Sequence, residues 1–145
     1  MLRLFFRNRD RKKNKTIRNR RVVITRQAAD GIITYAKMWH PNEGILILRG
    51  KSTREIISID GLIVPPFSTH GPYYSGFPSY DLPFDNSYVG TAHSHPSGAN
   101  KPSLEDLNNY FGSVSIIIGY PYSDYTIRAF DRSGNDLELE IFDAT

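Results

Sequence analysis

One stretch restricts this chain more than any other: Asn86-Ser87-Tyr88-Val89-Gly90-Thr91-Ala92-His93-Ser94-His95-Pro96. Its first part carries no charge and reads as a short strand, where side chains two apart share a face. His93 and His95 therefore present two imidazoles side by side, and Pro96 stops the strand just beyond them. A small, turn-prone run from Ser97 to Asn100 then leads into a helix start at Pro102 to Asp106. Two imidazoles at a strand end and a carboxylate on the first turn of the next helix can converge on one ion. Zinc accepts such nitrogen and oxygen ligands at about 2.0–2.2 Å, and three protein ligands leave a fourth position for water, as in a catalytic site. Taken singly, the two halves have plainer readings. His-x-His on a strand is usually a half-exposed polar face, and Ser103-x-x-Asp106 is a capping box at a helix start. Their conjunction at this spacing is far more specific.

The donors available to a metal are few. The chain has no cysteine and four histidines, so disulfides and thiolate ligands are excluded, and His, Asp and Glu must do any ligation. A length of 145 residues fits one domain with one substantial core. No run approaches the ~20 apolar residues of a membrane span. Met1 to Arg7 is too short and interrupted for a secretory apolar region. A soluble, cytoplasmic protein is expected.

The net charge of +3 conceals an asymmetry: residues 1–21 carry +9 and residues 22–145 carry −6. The basic arm, 1–21, has no sustained period and should stay solvated and disordered, because it cannot bury enough apolar surface to offset ordering entropy. It reads as an adhesive for an anionic partner, nucleic acid or membrane surface, with Leu2, Leu4, Phe5 and Phe6 as a hydrophobic foot. A solubilising tail is the equal alternative. Residues 22–145 form the folded domain.

Within that domain Arg21 to Thr25 is a β-branched strand signal. Residues 26–39 read as a helix with Ala29, Ile32, Ile33, Ala36 and Trp39 on one stripe, ended by Pro41. Gly44 to Leu48 is a strand buried on both faces, and Glu55 to Val64 is the next, in one piece or in two around Asp60-Gly61. Residues 67–88 hold seven of the eighteen aromatics and no Lys or Arg, which speaks against a basic nucleic-acid groove and for an ordered or binding-ordered loop beside the site. Ser103 to Phe111 reads as a short helix and Ser113 to Ile118 as a buried strand. Asp124 to Phe130 and Asp136 to Phe142 read as a hairpin ending in a half-buried strand. The order β-α-β-β-β-α-β-β-β indicates an α/β domain with a mixed sheet.

His93-Ser94-His95-Pro96 followed after seven residues by Ser103-x-x-Asp106 resembles the signature of the JAMM (MPN+, Mov34) zinc metallopeptidases, in a compact form like the stand-alone prokaryotic members. The resemblance covers roughly residues 22–142. It implies the cytidine-deaminase-like MPN fold, a mixed β-sheet sandwiched by helices, and one zinc ion on His93, His95 and Asp106. It further implies a glutamate general base, matched by Glu43 in Pro41-Asn42-Glu43-Gly44-Ile45, and a serine supporting the tetrahedral oxyanion, matched by Ser103. Ser94 points away from both histidines and would only orient its neighbours.

The implied activity is hydrolysis of peptide or isopeptide bonds after the carboxyl terminus of a ubiquitin-like modifier. The alternative substrate is an adduct on a sulfur-carrier protein. From other classes come a non-catalytic scaffold, which would have lost a ligand, and a nucleic-acid module using the basic arm. Phe67, His70, Tyr73, Tyr74 and Phe77 are the candidate substrate contacts, closing over an extended tail added as a strand.

Overall fold

The computed structural model describes residues 20–66, 68–78, 82 and 85–143. The basic arm lies outside the described residues except for Arg20 and Arg21, and Phe67 lies outside them too. Strand β1 (Arg21–Thr25) runs straight into helix α1 (Arg26–Trp39), where the Thr25 side chain accepts the Ala28 N–H at 3.1 Å and closes the first turn. Ala28, Ala29, Ile32 and Ala36 form the buried stripe of α1, while Ile33 and Tyr35 pack at its margin. Small residues on that stripe let the helix lie close on the sheet.

The sheet has eight strands. In the middle, β6 (Tyr88–His95) lies between β2 (Ile45–Ser52), antiparallel to it, and β7 (Val114–Gly119), parallel to it. A parallel pair needs a crossover, and this one passes through the short helix α2 (Leu104–Asn108). Every residue of β7 is buried, in keeping with its uninterrupted apolar run. On the other side β2 pairs with β3 (Ile56–Ile63), and β3 with β1. Arg49 faces Gly61 and Gly50 faces Ile59, so Asp60 is a bulged residue inside one strand rather than a break between two. A small hairpin of β4 (Thr69–His70) and β5 (Ser75–Gly76) stands apart.

Three expectations need correction. Helix α2 ends at Asn108, not Phe111: the Asn109 N–H and side-chain amide both bond the Glu105 carbonyl, the local competition that makes asparagine a helix terminator. The segment before β8 (Ile127–Phe130) opens as a 3-10 turn over Asp124–Thr126, capped by Ser123. The final segment is not one hairpin arm. Its first part, β9 (Asp136–Leu137), pairs with β8, and its second, β10 (Leu139–Phe142), pairs in parallel with β1. The two ends of the sheet thus meet in one extended stretch, and the Val22 N–H bonds the Glu138 carbonyl at 2.8 Å. Alternation along the strands sends Leu46, Leu48, Ala92, Ile116 and Ile118 into the core shared with α1. It leaves Ile45, Ile47, His93, His95 and Ile117 on the opposite face.

Candidate functional site

Pairing puts His93 opposite Ile45 across β2 and β6, which brings the residues just before β2 to the end of β6. Ser94, on the core side, accepts the Gly44 N–H at 2.7 Å, and its own N–H donates to the Gly44 carbonyl at 3.0 Å. Glu43 is fixed through its neighbour and is buried, with its Oε1 3.4 Å from His95 Nε2. Asp106 is the third residue after the cap of α2. Its Oδ2 accepts the Ser103 N–H at 2.9 Å, while Ser103 Oγ accepts the Asp106 N–H at 3.1 Å. That reciprocal cap fixes Asp106 and leaves the Ser103 hydroxyl proton free to donate elsewhere. Asp106 Oδ2 lies 3.1 Å from His95 Nε2, and its Oδ1 lies 3.9 Å from His93 Nδ1. The structure therefore brings Glu43, His93, His95, Ser103 and Asp106 together.

The electrostatics of the cluster follow from burial. Burial pushes the Glu43 carboxyl well above the usual carboxylate range, opposed in part by the nearby His95. Burial also pulls His93 down to about 4, so its imidazole stays neutral and keeps a lone pair. His95 is driven the other way. Burial opposes its charge, but the Asp106 hydrogen bond and the charges of Asp106 and Glu43 together outweigh burial and raise its pKa. Asp106 sits at about 2, because its bonds and attraction to His95, His93 and the Ser103 N–H exceed the cost of burial.

His95 Nδ1 donates to the Ala99 carbonyl at 2.9 Å, which leaves Nε2 as the free lone pair of a neutral ring, facing two carboxylates. Three acceptors around one point call for a cation between them, and in this geometry a proton on His95 supplies it. A divalent ion suits a neighbouring donor set, the imidazoles of His93 and His95 with the Asp106 carboxylate. Among the described residues no three donors already stand at coordination distance from a common point. The hydrogen bond from His95 draws the Asp106 carboxylate onto the ring instead, at 3.1 Å.

Of the candidate substrate contacts, Tyr73 and Tyr74 are 84% and 51% exposed at the tip of the β4–β5 hairpin, and Phe77 packs edge-on against Phe111. His70 has both ring nitrogens engaged by the protein, Nδ1 with the Glu43 carbonyl at 2.8 Å and Nε2 with Ser68 Oγ at 3.0 Å. His40 bonds the Tyr122 hydroxyl at 2.8 Å. Ser75, whose Oγ lies 3.1 Å from His93 Nδ1, escaped the sequence reading, because a lone serine in an aromatic loop carries no signal of its partner.

One prediction arises here. Ser103→Ala removes half of the reciprocal cap, worth about 1 kcal/mol. It should lower the melting temperature by about 4 °C in a thermal scan, with Asp106 loosened in proportion.

The chain is similar to known proteins over most of its length. Residues 25–133 match the model for prokaryotic homologs of the JAB domain. A probable metalloprotease of Haloferax volcanii is 36% identical over 138 residues, covering 90% of this chain and 86% of that protein. A solved structure described as JAMM, a metalloprotease-like zinc site in the proteasome and signalosome, is 30% identical with a TM-score of 0.62, covering 84% of this chain and 98% of that one. A JAB1/MPN domain protein from Archaeoglobus fulgidus is 31% identical with a TM-score of 0.61, covering 83% of this chain and 96% of that one.

Proposed function

Because the chain belongs to the JAMM family as a prokaryotic JAB-domain metallopeptidase, we propose that it is a zinc-dependent peptidase cutting the amide bond after the carboxyl terminus of a ubiquitin-like modifier. The observation that supports this best is the convergence of the Glu43 and Asp106 carboxylates on His95 Nε2, at 3.4 and 3.1 Å. His93, His95 and Asp106 would hold one zinc ion. Such an ion, when bound, lowers the pKa of water toward about 7 and polarises the scissile carbonyl.

The chain's own residues do the rest. Glu43 takes the proton of the attacking water and returns it to the leaving amine, a task that suits a carboxyl whose pKa burial has raised. The Ser103 hydroxyl, with its proton uncommitted, donates to the oxygen that gains charge as the carbonyl becomes tetrahedral. Ser94 and the Asp106 cap hold these groups in place. The hairpin supports the choice of an extended, small-residue tail. Its strand edges lie beside the site, and Tyr73 and Tyr74 stand ready to cover an added strand.

The test is a cleavage assay on linear and lysine-linked fusions of ubiquitin-like proteins. Turnover should fall at least 100-fold after dialysis against a chelator and return with one equivalent of zinc. If the metal-free protein cleaves at the same rate, the reading is wrong.

A further inference from the structure

The β4–β5 hairpin is tied to the backbone of Glu43 itself. The Glu43 N–H donates to the Gly71 carbonyl at 2.6 Å, and the Glu43 carbonyl accepts from His70 at 2.8 Å. Both main-chain groups of the residue are thus held by adjacent hairpin residues. His70 is held in turn. Its ring stacks on Trp39 with centroids 3.6 Å apart and planes at 10°, and Tyr35 meets it edge-on at 6.5 Å. The Ser68 hydroxyl can donate to Nε2 at 3.0 Å, the tautomer that puts the proton on Nδ1, where the Glu43 carbonyl needs it. At the far end of the hairpin, Ser75 reaches His93.

We propose that His70 is a positioning residue: its Nδ1–H fixes the peptide of Glu43, so that the seated hairpin aims the Glu43 carboxylate at the reacting water. This rests on the peptidase reading above. On this view His70 governs the rate of proton transfer and leaves substrate affinity alone. A misplacement of about 1 Å in such a group can cost 10²-fold.

Two full-length variants separate the donor from the ring. In His70→Asn the side-chain amide keeps an N–H near the position of Nδ1 and loses the stack. In His70→Phe the stack stays and the donor goes. With zinc restored, His70→Phe should lose about 10- to 100-fold in kcat with KM within twofold, and His70→Asn should recover most of that loss. Equal losses in both variants would reduce His70 to packing, and a loss confined to KM would make it a substrate contact; either overturns the proposal. A second readout does not depend on activity. The Glu43 amide, protected in wild type by its bond to Gly71, should exchange with deuterium at least tenfold faster in His70→Phe and stay protected in His70→Asn. Should the wild type cleave nothing, the peptidase reading fails and amide exchange alone decides the clamp: the stated pattern supports it, and equal protection in both variants overturns it.

Discussion

Glu43→Gln should lower kcat by about 10³-fold or more while zinc content and fold stay unchanged, measured by turnover on a ubiquitin-like fusion and by metal analysis of the same sample. The glutamine keeps the length of the side chain and can still reach His95, now 3.4 Å from Oε1. It cannot accept a proton. General acid–base catalysis contributes about 10²–10⁴ in rate, and Glu43 serves both the water and the leaving amine, so the upper half of that range applies. A thousandfold loss corresponds to about 4 kcal/mol of barrier. The same substitution should act oppositely on stability. Burial raises the Glu43 pKa in the folded protein, so the folded state binds that proton more tightly than the unfolded chain. Folding is then penalised as pH rises above the unfolded value, and fully so above the folded one. Stripped of metal, Glu43→Gln should melt higher than wild type at pH 8, and the gap should close as pH falls toward 5. Equal melting at both pH values would mean that Glu43 is solvated.

Gly90→Ala should be among the most damaging single changes in the sheet. Gly90 is buried in β6, between Leu48 of β2 and Val114 of β7. A Cβ there would lie 1.8 Å from the Val114 carbonyl oxygen and 2.8 Å from its carbon. Backbone cannot yield as a flexible side chain would, so β7 must move off β6 and lose ladder bonds. Effects above about 4 kcal/mol arise from such causes, which here means a fall in melting temperature beyond about 12 °C. His93 and His95 lie further along the same strand and should lose their register with Glu43, so zinc binding should fall with stability. Gly76→Ala is the control. Its Cβ meets only Thr69 Oγ1 at 3.9 Å, and stability should change by less than about 1 kcal/mol.

The parts of this molecule that were legible in the sequence are those whose cause is local. Thr25, the stripe from Ala29 to Ala36, Pro96 and the Ser103–Asp106 cap all act within a turn or two of their own position. Glu43 could be named only through resemblance, because nothing local marks a carboxylate before a strand as special; β2 pairing with β6 makes it so. The hairpin clamp was illegible for the same reason. His70, Gly71 and Ser75 take their meaning from partners 18 to 28 positions away. The last segment misled in another way. Alternation through Leu137-Glu138-Leu139-Glu140-Ile141 tells which side chains face inward, and those facings persist, but it does not tell which strand lies alongside. The partner changes at Glu138 without any break in the pattern.

The joining of the sheet's ends at Glu138 bears on how the protein is made in the cell. Strand β1 leaves the ribosome first and must wait for β10, more than a hundred positions later, before its outer edge is covered. Until then the nascent chain exposes an unpaired β-branched strand, Val22-Val23-Ile24, open to neighbours of the same kind. The sheet therefore cannot be completed until its last strand has been made, and the interval between first and last strands is when the open edge of β1 is most exposed to wrong pairing.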